Sequence, residues 1–62
     1  MDTDVFYKYK KELEEVADNE QMCHDQRIVA LCKLYTLYQN DVHNQAKVVR
    51  RIETIALQRE NA

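Results

Sequence analysis

The 62-residue chain has no glycine, proline, tryptophan or serine. Without glycine there are no Asn-Gly or Asp-Gly hairpin turns, and no glycine-rich loop to cradle nucleotide phosphates. Without serine, nucleophiles are limited to Cys23, Cys32 and three threonines. Strand-type alternation of apolar and polar residues is also missing, so the expected class is all-α. A strong excess of either charge is missing as well: a net charge of −2 is too small to name a partner.

Three further absences bear on where the chain works. No secretory signal, transit peptide or bilayer-spanning run can be read in it, which leads to the expectation of a soluble protein, cytoplasmic or, in a eukaryotic host, nuclear. Cys23 and Cys32, if on one helix, stand roughly 13 Å apart. A disulfide needs Cα atoms within about 7 Å, so two free thiols in a reducing compartment are expected. A single domain of this size, residues 1–62, buries only about 60% of its unfolded surface. Such scaffolds usually need a staple, and without a disulfide the remaining ones are a metal, oligomerisation or very regular helix packing.

What is present centres on Arg27 to Tyr38, the most apolar stretch of the chain. Wound at about 100° per residue, it places Ile28, Leu31, Cys32, Tyr35 and Tyr38 on one side and Ala30, Leu34 and Leu37 on another. Only Gln26, Lys33 and Thr36, with Val29 among them, are left for water. A helix with two apolar sides needs two partners or a second copy of itself.

The flanking segments are amphipathic. A helix over about 3–17, capped by Asp2 or Thr3, gathers Val5, Phe6, Tyr9, Leu13, Val16 and Ala17 into one stripe. Residues 18–27 break that stripe. Asp18 with Gln21 has capping-box spacing, which sets a second helix at about 19–39, with Asp25 as a later candidate cap. Asn40 suits a left-handed helix end, and Asp41 suits the cap of a third helix over about 42–59. Its inner arc is Val42, Gln45, Val48, Val49, Ile52, Ile55 and Ala56. The expected architecture is a small antiparallel three-helix bundle with the second helix central. The alternative is a hairpin, made by fusing the first two helices, that dimerises as a four-helix bundle.

The outer face of the third helix carries His43, Lys47, Arg50, Arg51, Thr54 and Gln58, with no acid among them. A ridge of this kind can pair with phosphates, or it can simply complement the helix dipole and keep the surface solvated. Residues 1–20 hold seven Asp and Glu against three Lys, a poor companion for DNA but suited to a protein of complementary charge. Tyr7 and Leu57 point away from the expected core, and Tyr35 and Tyr38 are the central-helix residues expected to stay partly uncovered. Aromatic and Arg side chains dominate interface energies.

Catalysis and metal binding are not expected. Cys23, His24, Cys32 and His43 lack the paired spacing of zinc ligands, and Cys23 and His24 are sequence neighbours that diverge on a helix. The carboxylates of the first helix lie on a convex solvated surface, and the chain has little volume for a pocket of roughly 300 Å³ or more. The expected function is therefore a small intracellular protein–protein interaction module or regulator, which binds a larger protein or dimerises, with no enzyme activity, cofactor, metal or membrane. Tyr7, Tyr35, Tyr38 and Leu57 are the expected apolar contacts, with Lys47, Arg50 and Arg51 as charged anchors. The alternative is a nucleic-acid binder that uses Lys47, Arg50 and Arg51.

Overall fold

The computed structural model describes residues 3–60. Three helices account for nearly all of them: α1 (Thr3–Asp18), α2 (His24–Leu37) and α3 (Val42–Glu60). Of the two caps expected for α1, Asp2 lies outside the described residues and Thr3 is the first helical residue. As expected, α2 is the central element. α1 and α3 both pack against it, while no Cα of α1 comes within 8 Å of one in α3. Arg27 on α2 meets Ala17 on α1 and Tyr38 meets Glu14, so numbers rise on one helix as they fall on the other. Asp25 likewise meets Arg59 on α3. Both neighbours are antiparallel to α2, as short connections require.

α1 and α2 are separate helices, which removes the fused hairpin. The break is made by Asn19, whose side-chain oxygen accepts the Gln21 N–H at 2.9 Å while its carbonyl accepts Met22 N–H at 3.0 Å. A short polar side chain that captures a nearby amide competes directly with helix. The capping box expected from Asp18 and Gln21 therefore does not form, and Asp18 closes α1 instead. α2 starts at His24 rather than near residue 19, behind Cys23, which adopts extended geometry and makes no side-chain cap. Asp25 lies in the first turn of α2, where its charge complements the helix dipole.

At its other end α2 stops at Leu37, two residues short of expectation. The Tyr38 N–H is shared between the carbonyls of Leu34 and Tyr35. No described residue has positive φ, so Asn40 does not end the helix in the left-handed way. Asp41 does cap α3: its carboxylate accepts the Asn44 N–H at 3.1 Å and the Asn44 side-chain amide at 2.6 Å.

The helices lie side by side in one layer. The molecule measures 43 × 24 × 12 Å, and 24 Å is the width of three adjacent helices at 8–10 Å spacing. The core is correspondingly thin: Leu13 and Ala17 from α1, Ala30, Leu31 and Leu34 from α2, and Val48 and Ile55 from α3. Leu31 and Leu34 are the large side chains buried completely.

The layer corrects several expected core positions. Val5, Phe6 and Tyr9 are exposed, as are Val42 and Val49 on α3. The first group is exposed because α2 has 14 residues, about 21 Å of helix, and ends beside Lys10 and Glu14. The first two turns of α1 therefore run past it. The second group lies on a side of α3 that α2 does not reach.

Leu31→Ala or Leu34→Ala should each lower stability by about 2–5 kcal/mol, enough to abolish the folded state of so thin a core. Val5→Ala should change it by less than about 0.5 kcal/mol. Urea or thermal unfolding followed by circular dichroism separates the two groups.

The Asp41 cap yields a pH prediction. Its pKa is held below the usual 3.8, first by the Asn44 backbone N–H and then by the Asn44 side chain, with His43 and Lys10 adding to the effect. A carboxylate depressed on folding stabilises above its unfolded pKa, and that contribution is lost as pH falls through the folded value. Asp41→Asn keeps an accepting oxygen and should flatten the acid limb of the stability profile, whereas Asp41→Ala should lower the melting temperature at neutral pH as well.

Candidate functional site

The two faces of the layer differ in chemistry. On one face, α1 and α3 flank a cleft floored by α2, lined by Glu14 and Asp18 from α1, Leu34 and Tyr38 from the α2 side, and Asn44, Lys47, Val48 and Arg51 from α3. Charges meet across it. Arg51 is bonded to the Asp18 carboxylate, and the Tyr38 hydroxyl donates to Glu14 at 3.3 Å. The Lys10 ammonium stands 5.3 Å from the centre of the Tyr38 ring and 6.0 Å from that of Tyr7, within cation–π range.

Arg27 completes this face and had no expected role. Its Nε–H donates to the Ala17 carbonyl at 2.9 Å. α1 has no basic residue in its last turn, so its terminal carbonyls must find a donor elsewhere, and Arg27 supplies one from the neighbouring helix. That missing last-turn cation was the signal available in the sequence. Arg27 also joins Arg50, Arg51, Thr54 and Gln58 around an adjoining groove.

The opposite face is mixed, with Asp25, Gln26, Lys33 and Thr36 of α2 among its apolar side chains. Val29, Cys32, Lys33 and Thr36 are exposed on α2, opposite Arg27 and Leu34 at 100° per residue. These are the positions, apart from Cys32, expected to face water. Between α1 and α2 a groove of about 260 Å³ is lined by Leu13, Val16, Met22, Val29 and Ala30, with Gln26 and Lys33 at its edge. On α3 the circumference runs from Lys47 and Arg51 through Val48 and Ile55 to Val42, Val49 and Ala56, so the last three lie on the side away from the cleft. Val42 is 78% exposed and Val29 52%.

The residues expected to bind a partner do not form one patch. Tyr38, Lys47 and Arg51 border the cleft, Arg50 borders the groove beside it, and Tyr7 is exposed on α1 next to Lys10. Tyr38 is half-buried and bonded within the fold, so it floors the cleft rather than projecting from it. Tyr35 is exposed on α2, and Leu57 is exposed on the outer edge of α3. The basic ridge has acidic neighbours after all: Arg51 pairs with Asp18, and Arg59 with Asp25 at 2.8 Å. Only tertiary structure brings those acids to α3.

Cys23 and Cys32 are free thiols. A groove of about 480 Å³ lies between Phe6 and Lys10 of α1 and the 37–44 segment, larger than the pocket volume expected of this chain, and it is an open surface feature. Among the described residues there is no group of three or more His, Cys, Asp or Glu placed to hold a metal ion, and no helix long and apolar enough to cross a membrane. Comparison with known proteins finds no matching family model, no matching curated protein and no matching solved structure.

Arg27→Ala removes a half-buried charged hydrogen bond and should cost roughly 1.5 kcal/mol or more. Arg51→Ala breaks a solvent-exposed pair and should cost about 0.2–1 kcal/mol. Chemical denaturation of the two variants tests that order.

Proposed function

We propose that the protein is a small interaction module or regulator that works inside the cell by laying exposed apolar side chains against a protein partner, either a larger protein or a second copy. One observation carries this: the large side chains left in water outnumber those in the core, and they include Val5, Tyr9, Val29, Tyr35 and Val49. Exposed single hydrophobics are ordinary, whereas this many beside so small a core leave apolar area that association would bury. Two free thiols fit a reducing compartment. Tyr7, Tyr35 and Leu57 remain proposed apolar contacts, with Lys47, Arg50 and Arg51 as charged anchors and Tyr38 holding the cleft between them.

A second reading, nucleic-acid binding, draws support from the groove that joins Arg27, Arg50 and Arg51. The Asp18 carboxylate on Arg51 and the acidic α1 weigh against it, since both would repel phosphates. The expected outcome of a gel-shift titration at about 50 mM salt is no duplex shift.

The main test is purification of the tagged chain from its own host beside a Tyr35→Ser/Leu57→Ser variant. A protein retained in stoichiometric amount by the wild type and lost from the variant is the expected result. A wild type that retains nothing beyond what an unrelated helical protein retains, and that sediments as a monomer, overturns the reading.

A further inference from the structure

We propose that the groove holding Arg27 of α2 with Arg50 and Arg51 of α3 binds a phosphate monoester dianion, carried on a phosphorylated side chain of the protein partner. The inference rests on the reading of the chain as an interaction module, and it names the group that the charged anchors take.

Charge is the first argument. Three of the chain's four arginines line this groove with Thr54, Ile55 and Gln58, and no Asp or Glu lines it. Arg51 is paired with Asp18, which stands on the cleft side. Arg50 has no ion pair among the described residues, and Arg27 is bonded to a neutral carbonyl. Three guanidinium charges less one carboxylate leave two positive charges uncompensated, in a chain whose net charge is −2. Like charges gathered in this way repel until an anion joins them. A phosphorylated side chain carries about −1.5 to −2 at neutral pH, close to the charge the groove lacks.

The second argument is that the donors are already placed. The Ala17 carbonyl holds Arg27 through Nε at 2.9 Å, which leaves both Nη groups without a partner in the fold. Asp18 holds Arg51. Both arginines are half-buried, and Ile55 beside them is buried. Guanidinium groups fixed in advance lose less freedom on binding, and their forks match phosphate oxygens two at a time. The Thr54 hydroxyl donates to the Arg50 carbonyl at 3.0 Å, so the guanidinium groups and the Gln58 amide are the donors left for a ligand.

Size is the third argument. The groove measures about 190 Å³, below the roughly 300 Å³ of a pocket for a whole small molecule, and it suits one group at the tip of a side chain. A nucleic-acid strand carries further phosphates beyond any one site, and here they meet Asp18 and the acidic α1. A monoester has no such continuation. Leu57 is exposed on the same edge of α3, seven residues from Arg50, so a segment seated by its phosphate also reaches a proposed apolar contact.

Titration of the ¹⁵N-labelled chain with N-acetylphosphoserine N-methylamide, at neutral pH and low salt, tests the site by NMR. Saturable shifts of the Arg27 Nε–H and of the backbone amides of residues 50–58 are expected. Binding should be roughly tenfold tighter than that of dimethyl phosphate or N-acetylaspartate N-methylamide, each of which carries a single charge, and at least as tight as that of inorganic phosphate. Arg50→Gln, at an exposed position, should weaken binding roughly tenfold with unchanged helicity in circular dichroism. Asp18→Asn releases Arg51 and should tighten binding, whereas Glu53→Gln makes the same charge change on the far side of α3 and should alter it by less than about twofold. Absence of saturable shifts, or shifts spread equally over the surface lysines, overturns the inference while leaving host purification to decide the broader reading. Equal affinity for dimethyl phosphate, or tighter binding of inorganic phosphate than of the phosphoserine probe, also overturns it.

Discussion

Everything in this fold depends on the burial of Leu31 and Leu34 between two helices that do not meet each other. α2 is apolar nearly all the way round, and in water such a helix is stable only when neighbours cover it. α1 covers one flank with Leu13 and Ala17, and α3 covers the other with Val48 and Ile55. Because α1 and α3 touch α2 and not one another at the backbone, no third side is closed. The result is a layer, and a layer has two faces.

Those faces have separate consequences. On the cleft side, polar groups from α1 and α3 reach across α2 and satisfy one another, while Arg27 ties the end of α1 to α2. Contacts of this type are half-exposed and individually modest. On the back, the Asp25–Arg59 pair joins α2 to α3, and Val29, Val42 and Val49 remain in water. A chain of this length has few ways to supply the missing burial from its own residues. Association is therefore the physical complement of the architecture, and the proposed function follows from that deficit.

Much of the architecture was legible. The two-sided apolar run of residues 27–38 marked the central helix, and Asp41 was recognised as a cap because its chemistry is local: a carboxylate three residues before the amide it accepts. Less local features were not legible. Asp18 and Gln21 have capping-box spacing, yet Asn19 takes the Gln21 amide first, and nothing in their spacing ranks the two outcomes. The stripe Val5–Phe6–Tyr9 has the same periodicity as the buried Leu13 and Ala17. Its exposure depends on where a different helix stops. The acids that neutralise part of the α3 ridge, Asp18 and Asp25, are 33 and 34 residues away from Arg51 and Arg59 in the chain, beyond the reach of any local pattern. The set of expected contact residues was scattered for the same reason: positions on three helices acquire neighbours only once the helices are placed.

The sequence by itself determined that the chain is helical, that it has three segments, and that the middle one must be flanked on both sides, because hydrophobic periodicity and turn chemistry act over a few residues. Tertiary structure alone decided which part of each apolar stripe is covered. Coverage depends on the lengths and offsets of neighbouring helices: a 14-residue α2 is too short to shelter the whole of α1, and α1 and α3, seated on separate flanks of α2, do not meet.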